Sequence, residues 1–504
     1  MSRAADSLTS RTARAGAWRF AEAIVGAMSQ LATAAILARL LTPADFGLVT
    51  LALVVIGFAQ PLRDLGTGNA LVQRSLLTDR HVRTAFTFSA TVSVLVAAAL
   101  AAGAPWIAAI VRTPGAAPVL RVMSAVVVIR GFAIVAEALL RRDMNFRRQF
   151  FISTSSYLAG YGLVAIPLAM QGRGAWSLVW GTFAQTAIAT AAQVASVRHS
   201  WRPLLARREL GELLGFGTGA ALSIWVNYLA RNGDNVVVGR WMGAASLGLY
   251  DRAYALMNLP CAYASSVISG VLFPAMSQAQ ARPVRLGRAY LIATELGALI
   301  AAPAMALLIV AAPHLVIALY GPQWTGAVLT AQILCAAGYF RALYHLGGPA
   351  AQSAGRVYSE LWRQVLYAAL VIGGALLALP YGLTGVSAAV GVAIVVMFIT
   401  TAQLALHVTG ASWGAYWRVQ GSAIGVALVS GAVALAVREM LEALDQSSTV
   451  ITAAVLATAS VPWGIGILRS LGAPRLGPLM PTLPPWCRDL AAMVRSSGGS
   501  RQDD

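Results

Sequence analysis

An ionisable side chain carried into the apolar interior of a bilayer costs about 2.5–3.5 kcal/mol on insertion scales, so charges that interrupt apolar stretches mark the chemistry of such a chain. Arg63, Arg130, Arg231 and Arg341 are four of them. A guanidinium stays protonated at any physiological pH and presents its donors in a planar fork that fits phosphate or carboxylate. Three of the four have acidic neighbours: Asp64 adjoins Arg63, Glu137 follows Arg130 at a spacing of seven, and Asp234 follows Arg231 at three. Glu22 stands in the same relation to Arg19. Spacings of three and seven share one helix face, so each pair is also able to satisfy itself as an internal ion pair that fixes helix register. Arg341 has no acidic residue within one turn, and its counter-charge must come from elsewhere; a phosphate group would supply it.

Other chemistry is sparse. No Walker-type loop, nucleophile elbow or His-Glu metal helix occurs, which argues against direct ATP use and hydrolytic catalysis. His314 and His345 are too far apart in sequence to suggest a metal site, and Cys261, Cys335 and Cys487 show neither paired nor metal-type spacing. The chain does not read as an enzyme and implies no cofactor.

The elements that position these charges follow from composition. Of the residues, 58% are hydrophobic and 11% charged, whereas a soluble surface needs roughly a quarter or more charged side chains. Lipid must be the solvent. The net charge of +18 comes from arginine without any lysine, and the arginines flank apolar segments rather than forming one patch. That distribution speaks for membrane topology and against nucleic acid. About fourteen stretches are long enough to cross a hydrocarbon core of roughly 30 Å as helices. They lie near 15–38, 46–70, 84–103, 119–140, 151–170, 175–197, 213–232, 246–276, 288–312, 326–350, 361–379, 384–407, 418–438 and 449–470. Arginine clusters recur in every second connector, as at Arg74, Arg80 and Arg83 and at Arg141, Arg142, Arg147 and Arg148. Those connectors are expected on the cytoplasmic side, together with both termini. Trp106, Trp176, Trp201, Trp324 and Trp417 read as interfacial anchors.

A short repeat suggests two lobes. The stretch from Arg39 to Gly47, RLLTPADFG, resembles that from Arg240 to Gly248, RWMGAASLG, with arginine and glycine in register. Each copy follows an odd-numbered span, so the halves would be related by an axis along the membrane normal. The expected organisation is an all-α polytopic bundle with an N-terminal lobe over 1–208, a C-terminal lobe over 209–410, an additional helix pair over 411–475 and a cytoplasmic tail over 476–504.

Several segments are familiar in combination: ARLLTPADFGLVTLA from Ala38, DLGTGNALVQR from Asp64, RNGDNVVVGRWMGAASLGLYDRAYAL from Arg231 and VLFPAMSQAQ from Val271. Together they resemble the polysaccharide-transporter family of lipid-linked oligosaccharide flippases, related to O-antigen and teichuronic-acid exporters and more distantly to multidrug and toxin extruders. The resemblance extends to about residue 410. It implies a two-lobed bundle in a bacterial inner membrane around a cationic central cavity open alternately to either side. The implied cargo is an undecaprenyl-pyrophosphate-linked oligosaccharide, and a polysaccharide polymerase or export complex would receive it. On that reading Arg63, Arg130, Arg231 and Arg341 bind phosphate, while Asp64, Glu137, Asp234 and Glu22 orient them or couple to an ion. The rival readings are a cation-coupled drug extruder on the same fold, disfavoured by the arginines, and a membrane polysaccharide polymerase, disfavoured by the short outer connectors.

Overall fold

The computed structural model describes residues 22, 25–74, 76–197, 200–279, 283–347 and 357–472, and among them it contains helix and no strand. Arg3, Arg11, Arg14, Arg19, Cys487 and the tail lie outside the described residues. Ten helices in the described part are long and apolar enough to cross a membrane. Two compact units result, Met1–Asp251 with Val371–Leu383 and Arg252–Leu370 with Thr384–Asp504. The expected lobe boundary at 208/209 falls at the start of a long helix that the first unit includes as far as Asp251.

In the first unit the helices are α1 (Val25–Leu40), α2 (Pro43–Asp64), α3 (Thr67–Gln73), α4 (Asp79–Ile110), α5 (Ala116–Arg142), α6 (Phe146–Met170) and α7 (Ala175–Ser196). A helical run, α8 (Arg207–Ala279), follows them, broken at Gly243 with φ 84°; it belongs to the first unit as far as Asp251 and to the second from Arg252. The expected spans near 213–232 and 246–276 therefore meet at a one-residue break rather than across a connector. Glycine takes that left-handed conformation without steric cost.

At the centre of the first unit, α5 packs on α2, α3, α4 and α7. Lipid offers no hydrophobic drive for helices to associate, so close approach through small residues has to replace it. On α4, Ser89, Ser93 and Ala97 recur every fourth residue and are buried, and a Cβ on Gly131 of α5 would stand 2.2 Å from Ser93 Oγ. α6 carries a π-helical stretch, Leu158–Ala165, and packs equally close to α7: a Cβ on Gly160 would lie 2.6 Å from the carbonyl oxygen of Gly181. Tyr161 and Thr182 hydroxyls join the two helices at 3.0 Å.

The LTPADFG stretch is a helix start. Thr42 caps α2, Pro43 occupies its first turn, and Asp45 Oδ2 accepts from Thr42 N at 3.0 Å while Asp45 N donates back to Thr42 Oγ1. The other carboxylate oxygen of Asp45 accepts from Ala175 N at 2.8 Å, which ties the start of α7 to the start of α2.

In the second unit α9 (Pro283–Tyr320) is central and packs on α10 (Val328–Tyr344), α13 (Trp413–Ala443) and α14 (Ser448–Gly472). α11 (Val357–Leu377), whose residues from Val371 onward belong to the first unit, and α12 (Gly382–Thr409), which enters the second unit at Thr384, complete the helices. Trp106, Trp201 and Trp417 are exposed, but Trp324 is fully buried beside Tyr320, in a 3-10 turn that leads into α10. Its reading as an interfacial anchor is corrected: tertiary packing on α9 captures the ring.

Candidate functional site

A cavity of about 550 Å³ lies within the first unit, lined by the end of α2, one face of α5, one face of α7 and part of α8. The end of α2 is abrupt. Leu65 (φ 35°) and Gly66 (φ 77°) both take left-handed conformations, so the span expected over 46–70 breaks after Asp64 and resumes as α3. Irregular backbone at membrane depth is tolerated where it lines a cavity. The last turn of α2 places Arg63 there, 6% exposed as a residue.

On α5 the cavity face runs Arg130, Ile134, Glu137, Arg141, at helical spacing, while Gly131 turns the adjacent face to α4. Arg130 and Glu137 share one wall, as their spacing of seven predicts. The acid is paired with Arg141, one turn along. Sequence reasoning assigned Arg141 to a cytoplasmic connector; in the structure it closes α5 and enters the cavity lining.

The α7 wall carries no charge. Gln185, Thr186, Ala189, Thr190 and Gln193 line it at positions i, i+1, i+4, i+5 and i+8 of one helix face. Thr186 is 5% exposed and its hydroxyl has no hydrogen-bond partner. An unsatisfied buried hydroxyl costs about 1–3 kcal/mol. From α8, Tyr228 lines the cavity and donates its hydroxyl to the carbonyl of Val54 at 2.9 Å, lying so close over Gly57 that a Cβ there would meet the phenol oxygen at 1.9 Å. Trp225 Nε1 donates to the carbonyl of Phe58 at 3.0 Å and fixes α8 to α2.

The other expected site residues stand elsewhere. Arg231 is exposed and is not among the residues lining this cavity. Asp234 is 2% exposed and accepts from Tyr250 Oη at 2.7 Å and from Asn235 N at 2.9 Å. Glu22 accepts from Ser153 Oγ at 2.9 Å. Asp64 closes α2, and its side chain lies outside the described residues. Arg341, on α10 of the second unit, is 3% exposed, sits 5.0 Å from the ring of Tyr254, and leaves Nε and Nη1 without hydrogen-bond partners. The signal that would have revealed the α7 wall was its row of uncharged polar residues in an otherwise apolar helix, which a search for charges alone passes over.

Comparison with known proteins agrees with this architecture. The succinoglycan biosynthesis transport protein ExoT of Rhizobium meliloti is 30% identical over 295 residues, covering 58% of this chain and 60% of that relative. The lipopolysaccharide biosynthesis protein WzxC of Escherichia coli is 25% identical over 380 residues, covering 73% of this chain and 76% of its own length. Among solved structures, the lipid II flippase MurJ in an inward closed conformation superposes with a TM-score of 0.71 at 11% identity, covering 91% of this chain and 99% of MurJ. An inward-facing multidrug resistance transporter of the MATE family gives 0.62 at 18% identity, covering 76% and 94%. At such identities the likeness is one of fold. Residues 36–329, more than half of the sequence, match the polysaccharide biosynthesis protein family, and the chain belongs to that family.

Proposed function

We propose that this protein is a flippase that carries an undecaprenyl-pyrophosphate-linked oligosaccharide across the bacterial inner membrane by alternating access, with both termini in the cytoplasm. The observation behind the reading is the cavity of the first unit, whose described lining carries the guanidinium groups of Arg63, Arg130 and Arg141 beside the carboxylate of Glu137. Guanidinium groups in a lining offer an anion charged donors in a planar fork. Lipid excludes a pyrophosphate, and such a lining replaces part of its lost hydration. Flipping breaks no bond, so a path of this polarity is the whole chemical requirement. Arg231 and Arg341 are further phosphate contacts on this reading, with Asp64, Asp234 and Glu22 as supporting or ion-coupling groups. The names of the relatives, which place them in succinoglycan and lipopolysaccharide biosynthesis, support a saccharide cargo. Arginines in the lining do not suit the cationic cargo of a drug extruder.

The test is deletion of the gene, followed by mass spectrometry of extracted lipids with and without a sugar-modifying probe confined to the periplasm. A lipid-linked oligosaccharide that builds up protected from the probe, is cleared by the wild-type chain and persists with normally inserted Arg63→Ala or Arg130→Ala supports the reading. An unchanged lipid-linked pool with altered drug sensitivity replaces it with the extruder.

A further inference from the structure

The cavity has walls of two chemistries, and the flippase reading accounts for one of them. Arginine forks on α2 and α5 suit a pyrophosphate, but Gln185, Thr186, Thr190 and Gln193 on α7 offer neutral amides and hydroxyls whose oxygens would repel an anion as readily as their protons attract it. Groups that both donate and accept match partners that do the same, and sugar hydroxyls and acetamido groups are such partners. Ala189, between Gln185 and Gln193 on the same face, keeps the strip shallow enough for a ring to approach. The hydroxyl of Thr186, buried and without a partner, points to a polar ligand at this wall.

The wall is also held rigidly. Gly160 and Gly181 bring α6 and α7 into backbone contact one turn before Gln185, and Thr182 Oγ1 both meets Tyr161 Oη at 3.0 Å and donates to the carbonyl of Leu178 at 2.8 Å. Asp45 secures the other end of the helix through Ala175 N. A recognition surface fixed before the ligand arrives loses less entropy on binding and discriminates better.

We infer that the Gln185–Gln193 face of α7 reads the saccharide of the cargo while the arginines of α2 and α5 hold its pyrophosphate. The inference rests on the flippase reading and assigns specificity to residues distinct from the anion contacts.

The experiment uses the full chain in lipid nanodiscs and two probes: undecaprenyl pyrophosphate, and the undecaprenyl-linked oligosaccharide extracted from cells that produce this protein. The wild type is expected to bind the oligosaccharide probe about tenfold or more tighter than the bare lipid. Gln185→Ala with Gln193→Ala, and separately Thr186→Val with Thr190→Val, should remove most of that gain, while Arg130→Ala weakens both probes. Wall variants that keep the full gain, or a wild type that does not distinguish the probes, overturn the inference and leave the flippase reading standing. A wild type that binds neither probe overturns the flippase reading itself. If the alanine pair loses both probes, the near-isosteric valine pair decides between misfolding and recognition: an intact gain there counts against the wall.

Discussion

Gly47 and Gly248 pack back to back, each against the turn that begins the other's helix: a Cβ on Gly47 would stand 1.7 Å from the carbonyl oxygen of Ala244, and one on Gly248 1.9 Å from that of Pro43. The contact is reciprocal. Pro43 precedes Gly47 by four residues, and Ala244 precedes Gly248 by four, so the two copies of the short sequence repeat meet about a local two-fold axis. The repeat is therefore a packing device. Gly47→Val or Gly248→Val should force the helices apart and destabilise the protein by about 1–3 kcal/mol or more, read as a lower Tm in detergent. Gly464→Ala, where nothing lies within 4 Å, is the control and should leave Tm unchanged or raise it. Equal melting in all three variants would show that the contact carries no weight.

Glu137 holds Arg141 in the cavity, and the pair is partly exposed. Its removal should free a guanidinium for the cargo. Glu137→Gln is expected to strengthen binding of undecaprenyl pyrophosphate about two- to fivefold, which corresponds to about 0.5–1 kcal/mol for an accessible pair, with a steeper salt dependence. Weaker binding would mean that the acid positions Arg141 rather than competing for it.

Arg341 buries a guanidinium with two unfilled donors against the ring of Tyr254. An unsatisfied group of this kind destabilises the resting protein, whereas an apolar residue of similar length does not. Arg341→Met should therefore raise Tm in the absence of cargo and reduce clearance of the lipid-linked oligosaccharide. A lower Tm with full transport would make Arg341 a structural residue and remove it from the phosphate contacts.

Glu212, at the start of α8, accepts from His81 and Arg208 and pairs with Arg74. The hydrogen bond from His81, then that from Arg208, with the nearby charge of Arg74, hold its carboxyl down at about 2 from an ordinary value of 4.5. A depressed carboxylate contributes stability that is complete above its unfolded value and is lost as pH falls toward its folded one. The Tm advantage of the wild type over Glu212→Gln should accordingly be constant above about pH 4.5, shrink below it, and vanish near pH 2. An advantage independent of pH across that range would show that the ionised carboxylate is not what joins α4 to α8.

Helical spans were legible in the sequence because lipid obliges each backbone to satisfy its own hydrogen bonds, so about twenty apolar residues specify a helix without reference to anything distant. The repeat was legible for the same local reason, whereas the break after Asp64, at the left-handed Leu65 and Gly66, interrupts what reads as one span over 46–70. Side-chain chemistry likewise singled out Arg63 and Arg130. Only the tertiary structure decided that these two share a cavity with Arg141, that Glu137 serves Arg141, that Trp324 is buried, and that Arg231 lies away from the lining. Those outcomes depend on how each helix is rotated about its axis. Rotation is set by close contacts between residues far apart in the chain, such as Gly131 on Ser93 and Gly160 on Gly181. Hydropathy is blind to it, and for that reason the polar row of α7, though present in the sequence, acquires its place on the cavity wall only when the helices are packed.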